Sequence, residues 1–164
     1  MKITAITLGI FVSTLIVMAG GNVRHDLSRV VNVPTAKVSN HNLTYVEDDV
    51  KLMWQDQIYT DAEYGAYKRN YSLGKVGTHG HAMGYCRQLN YAGFFDWRLP
   101  TSEELRYVHQ KQGKAFVFSQ DSDFWTSTPA AEKKYYIVFP ADAYRYPRSV
   151  HQTNFIRCVR SLAH

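Results

Sequence analysis

The fold of this chain is set by the stretch Trp97-Arg98-Leu99-Pro100-Thr101-Ser102-Glu103-Glu104-Leu105. Pro100 favours an extended approach and cannot continue a hydrogen-bonded ladder, so an extended segment ends there. Thr101 or Ser102 can cap the helix that follows, and the two glutamates lie in its first turn, where a carboxylate is favourable. We therefore predict a helix over residues 102–112.

The side chains of this box have a structural interpretation. Trp97 and Leu99 are predicted to face the core, because they alternate with Arg98 along an extended segment. Arg98 then lies on the other face or pairs with a carboxylate such as Asp96 or Glu104. A ligand-binding role would instead require Arg98 to be exposed in a cleft.

Strand signals lie on both sides of the box. Residues 124–128 alternate rings with hydroxyls, and a polar turn joins them to the β-rich residues 135–139, which predicts a hairpin. Residues 154–160 are predicted to form the final strand. An acidic turn at residues 47–49 predicts a first hairpin from residues 42–54.

Residues 78–90 have helical spacing, and Thr78 is a plausible N-cap. The helix places Ala82, Cys86 and Leu89 on one side.

Five short segments, each present once, follow one another in a characteristic order. They are Leu52-Met53-Trp54-Gln55-Asp56, Tyr85-Cys86, the Trp97 box, Phe124-Trp125-Thr126-Ser127-Thr128 and Arg157-Cys158-Val159-Arg160. Together they resemble the C-terminal domain family of Legionella collagen-like proteins, which is related to C-type lectin-like folds, across roughly residues 48–161. The positions that carry the family's fold motif are Trp54, Trp97, Arg98, Pro100, Glu104, Trp125, Arg157 and Arg160.

The resemblance implies an α+β fold of the C-type lectin-like kind. We expect two helices packed on small antiparallel sheets, with the chain ends brought together and one disulfide. Residues 57–76 depart from the family and are predicted to form a short helix or a surface loop. His79 stands where the family normally has a Trp, so packing there is expected to differ.

The N-terminus has the pattern of an export signal. Lys2 precedes an apolar run over residues 3–18, and small residues end at Ala19, so residues 1–19 are predicted to be a cleaved signal peptide. An uncleaved membrane anchor is the alternative. Residues 20–42 are predicted to be a linker or N-terminal arm, and residues 43–164 the lectin-like domain, which in both cases lies outside the cytoplasm.

The chain has two cysteines. In an exported protein a lone pair is more typical of a disulfide than of free thiols, because the compartment is oxidising. Cys86 and Cys158 also match the family's paired positions, so we predict that they are bonded.

No pattern favours catalysis, a cofactor or a metal. One related fold is a copper-dependent oxidase that makes formylglycine, but its cysteine pair has no counterpart, and no nucleophile stands at a usable spacing from a base. His79 and His81 are predicted to be surface residues rather than metal ligands. The patterns of calcium-dependent sugar binding are absent from the sequence. Asp121 and Asp123 form the one candidate cluster of acids, and a solvated loop explains them as well.

Charge supplies the hint about a ligand. The formal net charge is +5, and residues 133–160 carry most of the basic excess among several tyrosines. Such a surface attracts anionic polymers, and family members include adhesins that bind sulfated glycans. The predicted ligand-binding residues are Lys133, Lys134, Tyr144, Arg145, Tyr146 and Arg148. Basic residues on outer strands are also common solubility devices, and that alternative stays open.

Two functions follow as hypotheses. The first is a non-catalytic exported binding module for an anionic polysaccharide or an envelope protein. The second is a structural accessory subunit of an envelope assembly, such as a pilus or secretion apparatus, with the tyrosine-rich insertion at residues 59–71 as its interface. Nucleic acid is not an expected partner, and a membrane is one only if residues 1–19 are retained.

Overall fold

The computed structural model describes residues 43–111, 115–118 and 121–162. The predicted signal peptide and N-terminal arm lie outside these residues. Three helices and eight strands form the described part, which is α+β as predicted. The helices are α1 (Asp61–Lys68), α2 (His79–Gln88) and α3 (Ser102–Gln110). The strands are β1 (Thr44–Glu47), β2 (Leu52–Gln55), β3 (Val76–Gly77), β4 (Phe124–Ala131), β5 (Lys134–Phe139), β6 (Tyr144–Ser149), β7 (Asn154–Phe155) and β8 (Val159–Ser161).

The strands form two small sheets. The first has the order β1-β2-β8 and the second the order β3-β7-β4-β5-β6. Both predicted hairpins are confirmed, since β1 pairs with β2 and β4 with β5 in antiparallel register. Strand pairs are antiparallel except for a single parallel pairing between Phe124 of β4 and Phe155 of β7.

The predicted final strand is wrong as a single element. Residues 154–160 form two short strands, β7 and β8, which belong to different sheets. Residues 156–158 cross from one sheet to the other, and Ile156 N–H donates to the Lys75 carbonyl on the way. The crossing segment therefore connects the two sheets covalently.

The predicted number of two helices is wrong, because residues 61–68 of the insertion form α1, which confirms the short-helix alternative for that segment. Thr60 caps this helix by accepting from the Glu63 N–H, and the Glu63 carboxylate accepts from the Thr60 N–H. This reciprocal capping box satisfies N–H groups that would otherwise lack partners. The insertion therefore contains its own helix-start signal.

The Trp97 box has its predicted structural role. Trp97 and Leu99 are buried, at 3% and 2% exposure. Thr101 caps α3 together with Glu104, whose Oε2 accepts from Thr101 N–H at 2.8 Å. Arg98 pairs with Glu104 through two hydrogen bonds of 2.8 and 2.6 Å. Glu104 thus caps the N-terminus of α3 and pairs with Arg98. The helix ends at Gln110, slightly before the predicted boundary.

Helix α2 begins differently from its prediction. Thr78 occupies the N-cap position, but its side chain makes no capping hydrogen bond. The prediction that His79 is a surface residue is wrong, because it is only 5% exposed. Its ring stacks on Tyr135 at 3.6 Å, and its Nε2 donates to the Thr126 carbonyl at 3.0 Å. His79 therefore acts as a core aromatic ring with one satisfied polar atom.

The predicted disulfide is confirmed. Cys86 of α2 and Cys158 of the crossing segment are bonded with a Cα–Cα distance of 5.5 Å, and both are fully buried. Trp97, Trp125 and Ile156 belong to the same apolar cluster. A second apolar cluster, which includes Trp54 and Leu105, completes the core.

Arg157 is buried beside this disulfide. Its side chain is 1% exposed and pairs with Asp56 at 3.2 Å, while its guanidinium lies 3.8 Å from the centre of the Phe116 ring. Asp56 also accepts from the Val117 and Phe118 N–H groups at 2.7 and 3.0 Å. The ion pair therefore attaches the loop at residues 115–118 to the core.

No helix within the described residues has the length and apolar character needed to cross a membrane.

Replacing Arg157 by Met should lower the free energy of unfolding by about 3–5 kcal/mol, because it leaves the Asp56 carboxylate buried without its cation. The matched variant is Arg98→Met. The Arg98 and Glu104 side chains are 41% and 23% exposed. Arg98→Met should therefore lower the free energy of unfolding by about 1 kcal/mol or less. Urea unfolding measures both. Equal losses would contradict the conclusion that burial makes the Arg157–Asp56 pair more important for stability than the Arg98–Glu104 pair.

Burial also predicts a pH dependence. His109 of α3 lies between the Phe116 and Phe124 rings, and its Nε2 has no hydrogen-bond partner among the described residues. Burial, and then the charge of Arg157, lowers the pKa of His109 to about 4. The pKa of His79 is lowered for the same first reason, its burial.

Because both folded-state pKa values lie below the unfolded value of 6.5, the stabilisation is full above pH 6.5 and is lost as the pH falls. For His109 the loss continues down to about pH 4. Between pH 7 and pH 5, His109 should account for a loss of about 2 kcal/mol. The variant His109→Phe keeps a ring and removes the titrating nitrogen, so its unfolding free energy should fall less over this range. An unchanged pH dependence in the variant would refute the role of His109.

Candidate binding site

The six predicted ligand-binding residues lie in the β4–β5 turn, at the first position of β5 and on β6. Lys133 and Lys134 are exposed, and neither forms an ion pair within the described part of the chain. Tyr144 is 63% exposed. Strand β6 is an edge strand of the second sheet, so one of its two long edges has no neighbouring strand in that sheet.

Arg145 does not share a surface with the other predicted binding residues of β6. Alternation places it on the opposite face of the strand from Tyr144, Tyr146 and Arg148. Its guanidinium donates to the Ser102 Oγ at 3.1 Å and to the Glu103 carboxylate of α3. Arg145 therefore connects β6 to α3.

Arg148 is held firmly on its face of β6. Its Nη2 donates to the Asp123 carboxylate and, at 2.9 Å, to the Tyr146 hydroxyl, and its guanidinium lies 5.0 Å from the centre of the Tyr146 ring. Tyr144 stacks on the same ring at 6.1 Å. Burial, followed by the hydrogen bond to Asp123, raises the pKa of Tyr146 to about 12. The phenol therefore stays protonated at neutral pH and remains a donor to Asp123.

One further charge, Asp123, differs from its predicted setting, whereas Arg160 is predicted only as a position of the fold motif. Asp123 is 7% exposed and is bound by Tyr146 and Arg148, so the prediction of a solvated acidic loop is wrong for this residue. Arg160 is 8% exposed and pairs with Asp96 at 2.7 Å. Together with Arg157, it belongs to the core structure and adds little to a basic surface.

A polar pocket of about 300 Å³ opens beside Arg148. Its other walls are Tyr67 and Lys68 at the end of α1, Asn70 just beyond it, and residues 152–154, which lead into β7. These three segments are far apart in the sequence. We call this the α1–β6 pocket.

The α1–β6 pocket is rich in hydrogen-bond donors. Arg148 and Lys68 are its charged residues, and none of the described residues lining it is an Asp or Glu. Asn154 is 2% exposed. Its Nδ2 and the Arg148 Nε are both buried atoms without a hydrogen-bond partner among the described residues. An unpaired buried donor is costly, so this wall favours a ligand that carries acceptor atoms.

The insertion builds one wall of this pocket and fastens it to the core. Glu63 of α1 pairs with Lys75 at 3.0 Å, and both side chains are buried. Gly74 between them has a φ of +55°, and a Cβ there would collide with the Glu63 carboxylate, so glycine is required. Asn70 Oδ1 accepts from the Thr153 N–H at 2.9 Å, which ties the end of α1 to the loop before β7.

The tyrosines of the insertion mostly face inward. Tyr59, Tyr64 and Tyr67 pack against the Phe155 ring at 5.1, 5.8 and 4.8 Å. Tyr71 remains 41% exposed. The high tyrosine content of this segment is therefore explained largely by packing.

The two histidines of α2 are engaged elsewhere. His81 Nε2 donates to the Gly74 carbonyl at 2.8 Å, and His79 is bonded to Thr126. Within the residues that the structure describes, no group of three His, Cys, Asp or Glu side chains could hold a metal ion.

Sequence reasoning identified Arg148 but missed Lys68, Asn70 and Asn154. Lys68 and Asn70 lie in the insertion, where the available signal was only a departure from the family pattern. Asn154 has no local signal, because its importance comes from burial without a partner.

Replacing Glu63 by Gln should lower the free energy of unfolding by about 3–5 kcal/mol, since Lys75 would be left buried without its counter-charge. Glu103→Gln is the matched control, because the Glu103 side chain is 66% exposed and its pairs should contribute about 1 kcal/mol or less. Hydrogen exchange should show faster exchange of α1 amides in Glu63→Gln alone. Slow exchange throughout α1 in that variant would contradict the anchoring role.

Comparison with known proteins agrees with the resemblance seen in the sequence. The family model of the Lcl C-terminal domain, found in Legionella collagen-like proteins, matches residues 44–160. This range includes every strand from β1 to β7, all three helices and both cysteines. No curated protein matches the chain. The chain therefore belongs to the Lcl C-terminal domain family.

Proposed function

We propose that this protein is an exported, non-catalytic binding module that recognises an anionic glycan at the cell surface or in the periplasm. The observation that carries the proposal is the α1–β6 pocket, in which a guanidinium and an ammonium face a polar cavity with no lining carboxylate among the described residues. Acidic glycans supply both the negative charge and the acceptor atoms that such a wall favours.

Charge supports an anionic ligand, though over a smaller area than the composition suggests. Arg145, Arg148, Arg157 and Arg160 are all paired with carboxylates of the protein itself, and of these four only Arg148 lines the α1–β6 pocket. Lys133, Lys134 and Lys68 remain exposed. The net charge is +5 for the full chain and +4 without Lys2 of the predicted signal peptide. It would add long-range attraction to a polyanion, and this attraction weakens with salt.

The disulfide supports the proposed location. A buried cystine is typical of proteins that fold in an oxidising compartment, and the apolar N-terminal run has the pattern of an export signal. The arrangement of the ends supports a lectin-like architecture, because β1 and β8 flank β2 in one sheet and so bring the two ends of the domain together.

A second candidate function is that of a structural subunit in an envelope assembly. Tyr71 and Leu73 of the insertion are 41% and 40% exposed, and together they offer a small apolar contact for a protein partner. A partner that co-purifies with the wild-type protein and is lost from a Tyr71→Ser, Leu73→Ser variant would favour this function.

Retention on immobilised heparin and on an immobilised polyuronate tests glycan binding. Arg148→Gln should elute at lower salt than the wild type, because it removes the pocket's guanidinium. Arg145→Gln makes the same change in charge on the other face of β6 and should elute close to the wild type. Melting curves identify variants that have lost their fold.

The variants Lys68→Gln and Lys51→Gln repeat this comparison at two exposed lysines. Neither substitution disturbs a buried ion pair. Lys68 lines the pocket and Lys51 does not. Retention that falls equally in both would indicate general charge attraction rather than a site. A wild-type protein that is not retained on either polymer at low salt would overturn the proposal.

A further inference from the structure

We propose that the α1–β6 pocket receives a single acidic sugar residue as a discrete unit, with its oxyanion between Arg148 and Lys68. This inference rests on the proposed function and names the part of the glycan that is recognised. It also assigns the insertion, which differs from the family pattern, as the segment that determines specificity. Attraction of a polymer to a diffuse basic surface would require neither a pocket nor α1.

The size of the cavity suits one small ligand unit. A volume of about 300 Å³ lies at the lower end of the range for pockets that hold small molecules. Such a pocket can enclose one sugar residue, whereas a run of several residues would have to lie across the surface. The recognised residue is therefore an end or a side branch of the glycan, or a free acidic monosaccharide.

The groups on the walls match the two kinds of polar atom on an acidic sugar. Arg148 and Lys68 provide cationic donors for an oxyanion. Asn70, Gln152 and Asn154 carry amides, which both donate and accept and therefore suit hydroxyl groups. Tyr67 adds a ring to the same wall, and an aromatic ring can cover the less polar face of a sugar.

The end of α1 does not oppose an anion in this position. A helix C-terminus carries partial negative charge, worth about 0.3–1 kcal/mol against a nearby anion. Here, however, the Gly65, Ala66 and Tyr67 carbonyls accept from Arg69, Tyr71 and Asn70 N–H groups. The Lys68 ammonium adds a full positive charge beside them and is exposed, so the α1 wall offers an anion a cation rather than free carbonyls.

The pocket is also rigid before a ligand arrives. Arg148 is restrained by Asp123 and by the Tyr146 ring. Asn70 is bonded to Thr153, so the two loops that face each other across the pocket cannot separate freely. Restraint of this kind reduces the ordering cost of binding, which allows a small ligand to be recognised.

The experiment is an NMR titration of the purified protein, following backbone amides with glucuronate, glucose 6-sulfate and glucose. An acidic sugar should cause saturable shifts at Lys68, Asn70, Thr153 and Asn154, and glucose should cause none. The two acidic sugars distinguish a carboxylate from a sulfate as the recognised group. Lys68→Gln should weaken binding about tenfold, and Lys51→Gln should leave it unchanged.

Arg148→Lys is the second variant, because it retains a cation beside Asp123 while removing the guanidinium. It too should bind the acidic sugar about tenfold more weakly. Equal shifts with glucose would overturn the requirement for an acid. Binding of heparin or polyuronate without saturable shifts from either acidic sugar would overturn this inference and leave the proposed function standing. Absence of both polymer and sugar binding would overturn both.

Discussion

The buried ion pair between Arg157 and Asp56 is the interaction on which the rest of the structure depends. Asp56 follows β2 of the first sheet, and Arg157 lies in the segment that leaves β7 of the second. Burying two charges is favourable only when the geometry is good and their remaining hydrogen-bonding groups are satisfied. Here the Gln55 carbonyl and the Val117 and Phe118 backbones supply partners for the two Arg157 Nη groups and for Asp56, while Arg157 Nε has no partner among the described residues. The disulfide of the neighbouring Cys158 attaches the same segment to α2.

This crossing segment also determines where the candidate site forms. Residues before it form β7, which runs parallel to the start of β4, and Phe155 N–H donates to the Asp123 carbonyl. Asp123 thereby comes close to the end of β6, where it restrains Arg148. Asn154 precedes the crossing and is buried with an unpaired Nδ2. The α1–β6 pocket is thus a consequence of how the two sheets are joined, completed by a helix that belongs to the insertion.

The arginines show how differently one residue type can be used within one domain. Arg98 holds the start of α3, Arg145 connects β6 to the same helix, and Arg157 and Arg160 are buried with acids. A basic count over residues 133–160 therefore overstates the charge available to a ligand. Arg148 differs from the others because its contacts with Asp123 and Tyr146 hold it on a pocket wall.

Local sequence determined much of the fold, because its signals act over a few residues. Three such signals can be recognised without knowing the tertiary structure. They are the Thr101–Glu104 capping box, the alternation in β4 and β5, and the single pair of cysteines. The split of residues 154–160, the burial of His79 and the partners of the arginines could not be predicted, since each depends on a contact between distant segments. The α1–β6 pocket belongs to this second group. Its walls come from residues 67–70, Arg148 and residues 152–154, and only packing of the chain brings their donors together.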